Sequence, residues 1–262
     1  MIKQSTSWGG VAGWYDRLLE QADNTYQEKL IKPNLLRILS PKKGEDILDI
    51  GCGQGFFSRA IAAAGAKVIG VDIASDLIKL AKEKSSYRET YLAMSAEKMS
   101  GLNDGRFDAA VCVLALQNIK NLTAAVAETS RVLKMGGRAV LVLNHPAFRV
   151  PLSSDWGYDE QKRLQYRRVE KYMSEISQQV DMTQGIKDPK NKKFTYSFHR
   201  PLQVYFKNFA KAGLAVVRLE EWVSHKTSDK GPRKMAEDAA RGEIPLFMCL
   251  ELVKISSEGK NS

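Results

Sequence analysis

The residues best suited to chemistry stand in one short segment, where three glycines alternate with other residues directly after an apolar run. Asp46–Ile50 predicts a buried strand, and Gly51, Gly53 and Gly55 follow it before a segment typical of a helix. Glycines at such a turn permit positive φ angles, and they let a ligand lie against the backbone because no side chain blocks it. The spacing therefore predicts a ligand site at the carboxyl end of this strand.

Two carboxylates flank the glycine-rich turn in the predicted fold. Asp49 comes just before the first glycine, where it could accept hydrogen bonds from loop amides or from a cationic ligand. Asp72 ends a second predicted strand, Lys67–Asp72, and a carboxylate there can accept hydrogen bonds from both hydroxyls of a ribose. The next residue, Ile73, predicts an apolar contact with an adenine face. Together these residues predict a nucleoside site.

A dinucleotide-binding Rossmann protein is one alternative, because it also has a glycine-rich turn between a strand and a helix. Its GxGxxG fingerprint has the third glycine one residue later than Gly55, and its helix amides face a pyrophosphate. Here Phe56 and Phe57 occupy that place, and Asp49 adds an acid before the glycines. Both features favour a nucleoside with a cationic, zwitterionic tail. A tight turn without a ligand is the other alternative.

The rest of the chain predicts the elements that position this turn. Strands alternate with helices, which is typical of a parallel sheet covered on both faces. We therefore expect an α/β fold with a Rossmann-like, doubly wound sheet of seven strands. The predicted strands are 46–50, 67–72, 89–94, 107–116, 138–144, 214–222 and 246–254.

Five segments are expected along the chain. They are an N-terminal helical lid over 1–44, the Rossmann-like core over 45–144, a cap insertion over 145–200, a C-terminal helix with the last two strands over 201–255, and a flexible tail over 256–262. Within the cap, Tyr158–Glu175 is predicted to be helical and Gly185–Lys193 to be a loop.

The motifs resemble those of class I methyltransferases that use S-adenosylmethionine (SAM), and within that family the small-molecule group often called type 11. Asp49–Gly55 with Asp72 resembles the first motif and its partner acid. Three later segments resemble family motifs in the same order: the loop that flanks the adenine, the fourth motif, and the turn before the fifth strand, at Ser95–Glu97, Phe107–Asn118 and Leu133–Gly137. The resemblance covers Trp14–Asn144 closely and the terminal strands more loosely.

The resemblance implies an antiparallel last strand, SAM as the cofactor and S-adenosylhomocysteine as the product. It also implies that Tyr15 and Tyr26 belong to a lid that closes over SAM, although core packing is the alternative for both tyrosines. The expected cofactor-binding residues are Tyr15, Tyr26, Asp49, Gly51, Gly53, Gly55, Asp72, Ile73, Ala96, Glu97 and Leu114.

The segment after the fifth strand often supplies the acceptor pocket in this fold. We expect His145, at the end of that strand, to be a catalytic base, with a role in holding the loop as the alternative. Tyr158, His199 and Arg200 are the expected acceptor contacts, since aromatic rings with nearby donors suit a planar or anionic small molecule. An ordinary capping subdomain with its own small core is the alternative.

The same sequence weakens the case for a nucleic-acid substrate. The net charge of +10 is spread evenly along the chain and forms no basic block. Leu114–Asn118 lacks the proline-containing turn of enzymes that methylate amino groups on DNA bases, and Cys112 lies inside a strand without the proline that precedes a nucleophilic cysteine. Methyl transfer to an O, N or C atom of a small-molecule acceptor is therefore the expected function. A methyltransferase of RNA or protein and a non-catalytic SAM-binding protein are the alternatives.

Composition allows predictions about thiols, metal binding, cellular compartment and membrane association. The three cysteines, Cys52, Cys112 and Cys249, are far apart and form no metal-binding spacing, so we expect reduced thiols, no metal and a cytoplasmic protein. No apolar run reaches the ~18–20 residues that span a bilayer, and no signal peptide is visible at the start, so no membrane partner is expected. The sequence predicts neither the acceptor nor the oligomeric state.

Overall fold

A seven-stranded sheet forms the centre of the computed structural model, which describes residues 24–181, 192 and 194–255. The described strands are β1 (Asp46–Ile50), β2 (Lys67–Asp72), β3 (Glu89–Ala93), β4 (Phe107–Val113), β5 (Leu133–Asn144), β6 (Ser154–Asp159), β7 (Leu164–Val169), β8 (Ile176–Asp181), β9 (Phe194–His199), β10 (Leu214–Trp222) and β11 (Phe247–Lys254). The central sheet has the order β10-β11-β5-β4-β1-β2-β3. Neighbours among β1 to β5 are parallel, and β11 is antiparallel to both β5 and β10. The predicted fold class is therefore confirmed, with its antiparallel last strand.

Helices cover this sheet. They are α1 (Lys32–Leu39, preceded by a π-helical turn at Gln27–Ile31), α2 (Phe56–Ala63), α3 (Ser75–Glu83), a 3-10 helix (Leu116–Asn118), α4 (Leu122–Val132), α5 (Leu202–Lys211) and α6 (Lys234–Glu243). No helix in the described ranges is long and apolar enough to cross a bilayer. Tyr15, most of the predicted 185–193 loop and the predicted tail lie outside the described residues.

The apolar runs of the central strands follow from burial on both faces of the sheet. Along β4, Val111 and Val113 pack into the core that contains α1 and α2, whereas Ala110 and Cys112 pack into the core that contains α4 and α5. The strand ends earlier than predicted, because Leu114 takes a positive φ of 54° and turns the chain away from the sheet. This turn places the following residues at the carboxyl edge of the sheet.

The secondary structure of the cap differs from the predicted one. Tyr158–Glu175 is not helical, because most of it belongs to an antiparallel hairpin of β6 and β7. The burial of successive β7 residues alternates with a period of two, as in a strand. Gly157 lets the ring of Tyr166 lie against the opposite backbone, because a Cβ there would come within 2.3 Å of that ring. A second hairpin joins β8 and β9.

The pairing of β2 with β3 provides a test of this packing. Gly70 lies opposite Tyr91, and a Cβ on Gly70 would lie 2.6 Å from the ring of Tyr91 and 2.9 Å from Sγ of Cys52. Tyr91 is 1% exposed, so its ring has little room to move. We expect Gly70→Ala to lower the free energy of unfolding by about 1–3 kcal/mol in urea denaturation. Gly231→Ala, where the added Cβ meets open space, is the control and should change stability by less than ~0.5 kcal/mol. Equal stability of the two variants would contradict this packing.

Candidate functional site

The glycine-rich turn between β1 and α2 forms the floor of the site. Gly51, Gly53 and Gly55 all have positive φ angles, of 72°, 56° and 84°. A Cβ on Gly51 would lie 2.4 Å from Cβ of Ala115, and one on Gly55 would lie 2.5 Å from the hydroxyl of Tyr91. The turn therefore needs glycine for its conformation and because its neighbours approach closely.

Hydrogen bonds fix this turn to the end of β2. The backbone N–H groups of Gly51 and Cys52 donate to the carbonyl of Val71, at 2.8 and 3.0 Å. The N–H of Gly53 donates to Oδ2 of Asp72 at 3.0 Å, and the N–H of Ala74 donates to Oδ1 at 2.8 Å. A carboxylate oxygen can accept two hydrogen bonds, so Asp72 retains capacity for a ligand hydroxyl while it holds the turn.

The carboxyl group of Asp49 lies beneath the turn and is buried. It accepts a hydrogen bond from Oγ of Ser58, in α2, at 2.6 Å. The pKa of Asp49 is raised to about 7, because burial and, to a smaller extent, nearby Asp72 raise it more than the hydrogen bond from Ser58 lowers it. Asp49 thus connects β1 to α2 and does not line the cavity described next.

A cavity of about 280 Å³ opens over the carboxyl ends of β1, β2 and β4. This volume is near the lower end of small-molecule sites, which span roughly 300–1,000 Å³. Ile73 presents an apolar side chain that is 59% exposed. The structure brings together seven of the predicted cofactor-binding residues in the cavity lining: Gly51, Gly53, Asp72, Ile73, Ala96, Glu97 and Leu114.

Two features join the loops around the cavity. The carbonyl of Leu114 accepts hydrogen bonds from Nε2 of Gln117 and Nδ2 of Asn118, at 2.9 and 3.3 Å, which holds the strained turn after β4. Oε1 of Glu97 accepts a hydrogen bond from the N–H of Asn121 at 2.9 Å. Glu97 therefore ties the loop after β3 to the residue before α4 and leaves its second oxygen for a ligand.

The structure does not bring the other predicted cofactor contacts to this cavity. Tyr15 lies outside the described residues. Gly55 packs against Tyr91 beneath the turn. The ring of Tyr26 makes an edge contact with Phe247 at 5.6 Å, and its hydroxyl lies 3.0 Å from Oγ of Ser224. Tyr26 thus anchors the N-terminal segment to the edge of the sheet formed by β10 and β11.

His145 is held by hydrogen bonds and does not line the cavity. Its Nε2 lies 2.6 Å from Oε1 of Glu221, and its Nδ1 accepts from the N–H of Ala147 at 3.2 Å. Burial lowers the pKa of His145, whereas Glu221 raises it. Both ring nitrogens are occupied in this arrangement, so the geometry supports the loop-holding alternative over the predicted catalytic base.

The predicted acceptor contacts also lie away from the cavity lining. The ring of Tyr158 stacks under the guanidinium of Arg233 at 4.3 Å, beside α6. Nε2 of His199 lies 2.8 Å from the carbonyl of Tyr172. Nη2 of Arg200 donates to the carbonyls of two residues that do line the cavity, Ile119 and Lys120. Arg200 therefore contacts residues that line the cavity, but it does not line the cavity itself.

Sequence reasoning missed the residues with which the cap reaches the cavity. Tyr196 and Phe198 of β9 line it, and so do Asn118 and Lys120 after β4. The signal for the first pair was present, because aromatic residues at alternate positions of Phe194–His199 predict a strand with one aromatic face.

No described group of three or more His, Cys, Asp or Glu residues is arranged to hold a metal ion.

Comparison with known proteins identifies a methyltransferase domain within this chain. Residues 48–141 match the family model of a methyltransferase domain. The chain is 36% identical over 101 residues to a ubiquinone biosynthesis O-methyltransferase of Xanthomonas oryzae, a match of 37% of this chain and 42% of that protein. It is 32% identical over 111 residues to a demethylmenaquinone methyltransferase of Tropheryma whipplei, a match of 42% of this chain and 46% of that protein. The chain thus matches less than half the length of these curated relatives.

A solved structure matches over most of the chain. The SAM-dependent methyltransferase of Mesorhizobium loti has a TM-score of 0.67 and 23% identity, and the match covers 84% of this chain and 96% of that one. The domain matched over residues 48–141 is that of a methyltransferase, and the fold is that of solved SAM-dependent methyltransferases. The acceptor is a separate question.

The role of Asp72 in cofactor binding is testable. We expect Asp72→Ala to weaken binding of S-adenosylhomocysteine at least about tenfold in calorimetric titration, because the ribose hydroxyls lose their acceptor and the turn loses its hydrogen bond from Gly53. Asp76→Ala is the matched control, since Asp76 is exposed in the first turn of α3. The same affinity in both variants would refute the assigned role.

The buried acid predicts a pH dependence of stability. An unfolded aspartate has a pKa of about 3.9. Between that value and about 7 the folded protein keeps a proton on Asp49 that the unfolded chain has released, so this contribution is complete below about pH 4 and is lost as pH rises through about 7. We expect Asp49→Asn, which stays neutral, to gain about 2–3 kcal/mol relative to the unsubstituted protein between about pH 5 and pH 8.

The measurement is urea denaturation without cofactor across this pH range. Asp76→Asn removes an exposed carboxylate and is the control, so its curve should run parallel to that of the unsubstituted protein. A parallel curve for Asp49→Asn would show that Asp49 is ionised in the folded protein throughout the range.

Proposed function

We propose that this protein transfers the methyl group of SAM to an O, N or C atom of a small-molecule acceptor. The observation that carries this proposal is a single cavity whose lining joins a nucleoside-binding edge to aromatic side chains of the cap. Asp72 and Ile73 line one part, and Tyr196 and Phe198 line another. The curated relatives, named as a ubiquinone biosynthesis O-methyltransferase and a demethylmenaquinone methyltransferase, support a small-molecule acceptor.

The residues present fit SAM. Gly51 and Gly53 line the cavity without side chains, so their backbone is available to a ligand. The carboxylate of Asp72 would hold the ribose hydroxyls, and Ile73 and Leu114 would contact the adenine. SAM supplies an electrophilic methyl group on a positively charged sulfur.

The chain's own contribution is position and exclusion of water. Proper alignment of two reacting groups near ~3–3.5 Å can supply on the order of 7–11 kcal/mol towards the barrier. The apolar residues Val113, Leu114 and Phe198 line the cavity, so they would reduce the access of water to a bound sulfonium. Transfer forms a bond between the acceptor atom and the methyl carbon and breaks the bond from that carbon to sulfur, which keeps the electron pair.

The cap supports a small acceptor. The second hairpin packs against the 3-10 helix and contributes lining residues, so it covers part of the cavity. The described cysteines are buried free thiols, which supports the proposed cytoplasmic setting. An RNA or protein acceptor and a non-catalytic SAM-binding role are outcomes of the test below.

The test has a binding arm and a transfer arm. We expect calorimetric titration to show binding of SAM and S-adenosylhomocysteine, with no heat for NAD. We then expect label from methyl-labelled SAM to enter the low-molecular-weight fraction of a metabolite extract. Label that is removed by ribonuclease or protease would favour the macromolecular alternative. Binding without transfer to any fraction would favour the non-catalytic protein, and a folded protein that binds neither ligand would contradict the cofactor assignment.

A further inference from the structure

Strand β10 forms one edge of the central sheet and has no second neighbour among the described strands. It runs from Leu214 to Trp222 and contains no lysine or proline. Natural sheets usually protect a free edge with such residues, with a short strand or with a bulge, because unpaired N–H and C=O groups can pair with another chain. A bulge is present between Val216 and Arg218, but Arg218–Trp222 continues in regular register with β11. The edge is thus only partly protected.

Several large apolar side chains remain exposed at this edge and form an apolar strip. Its members lie on α5, on β10 and at the two ends of β10: Phe206, Val217, Leu219, Val223 and Ile255. Helix α5 packs against β10, and the N–H of Ile255 donates to the carbonyl of Gly213, directly before β10. Leu219 pairs with Leu250, which belongs to the core that contains α5, so Leu219 and α5 share one face of the sheet. Such an apolar strip is typical of a surface that another chain covers.

The charges on either side of Leu219 indicate which chain fits this edge. Arg218 and Glu220 point to the opposite face, where Nε of Arg218 lies 3.1 Å from Oε2 of Glu251 and Glu220 pairs with Arg37. If two β10 strands run antiparallel about a two-fold axis at Leu219, each Arg218 lies directly opposite Glu220 of the other copy. A register centred on Glu220 would instead place two like charges opposite each other. The edge is therefore complementary to itself in one register.

We propose that β10 is the interface of a symmetric homodimer, in which two copies pair antiparallel with Leu219 opposite Leu219. The two apolar strips then meet on one face of the joined sheet, and Arg218 and Glu220 of the two copies meet on the other. This inference does not depend on the proposed function. Because the paired strands run in opposite directions, the carboxyl edges of the two sheets lie on opposite sides. Each cofactor cavity therefore keeps its own entrance.

The first measurement is sedimentation velocity of the full chain over roughly 1–100 µM. We expect a dimer, and we expect Leu219→Lys to weaken its Kd at least about tenfold, because two ammonium groups would face each other across the two-fold axis. Met235→Lys is the matched control, since Met235 is an exposed apolar residue on α6, and it should leave the Kd within about twofold. Circular dichroism and thermal unfolding check that both variants are folded.

The second measurement tests the register with a milder substitution. Directly opposite residues of antiparallel strands have Cα atoms about 4.5–5.5 Å apart, which is within the roughly 4.4–6.8 Å range of disulfides. We expect Leu219→Cys to form a disulfide between copies on mild oxidation, because the native cysteines are buried and do not compete. Val217→Cys is the control. Val217 is more exposed than Leu219, at 58% against 44%, so random collision would favour its oxidation, but in the proposed register it lies opposite Glu221 of the other copy.

Three outcomes would overturn this inference. A monomer at every concentration would leave the edge to a different partner. A dimer that Leu219→Lys does not weaken would have its interface elsewhere on the molecule. A dimer in which Leu219→Cys cross-links no faster than Val217→Cys would contradict the two-fold pairing at Leu219. If Leu219→Lys does not fold, the comparison of the two cysteine variants decides the question.

Discussion

The site depends on one constraint, which is the close packing of neighbouring side chains against the glycine backbone in and beside the turn after β1. Tyr91 lies against Gly55 and Gly70, and Ala115 lies against Gly51. These contacts fix the positions of β3, the turn and the loop after β4 relative to one another at the carboxyl edge of the sheet. A cavity forms between them because no side chain of the turn can fill it. Larger residues at any of these positions would shift the loops that carry Glu97 and Leu114, so cofactor geometry and core packing are set by the same contacts.

Electrostatics adds a second condition, since the acids Asp49 and Asp72 lie near the carboxyl ends of the first two strands. Asp72 has its negative charge partly compensated by backbone donors, although burial raises its pKa. Asp49 is deeper, and its hydrogen bond from Ser58 does not offset the cost of burial. The negative charge on Asp72 favours a ligand that brings positive charge, as SAM does. The same arrangement would be unfavourable to a pyrophosphate, which agrees with the aromatic Phe56 at the start of α2.

Most of the central sheet could be predicted from local signals, whereas the cap could not. Buried strands such as β1 and β2 are short apolar runs beside turn residues, and their bounds agreed with the prediction to the residue. The cavity-lining glycines and Asp72 follow from their place at strand ends. Strand β7 was predicted to be helical because Glu160–Arg168 is rich in residues of high intrinsic helix propensity, and cross-strand pairing with β6 overrides that propensity. His145 was assigned from its place at the end of β5, but its partner Glu221 is far away in sequence, so no local pattern could show that its nitrogens are occupied.

The antiparallel strand β11 has a consequence for the order in which the chain folds during synthesis. The strands β1 to β5 come from one continuous stretch of the chain, and the partner for the outer edge of β5 comes only near the end, at Phe247–Lys254. Until that segment leaves the ribosome, β5 presents a row of unpaired backbone groups with apolar side chains on both faces. At elongation rates of about 5–20 residues per second, this edge stays open for roughly 5–20 seconds. A nascent chain in this interval is at its greatest risk of pairing with another copy, so chaperone demand should fall sharply once the last strand is made.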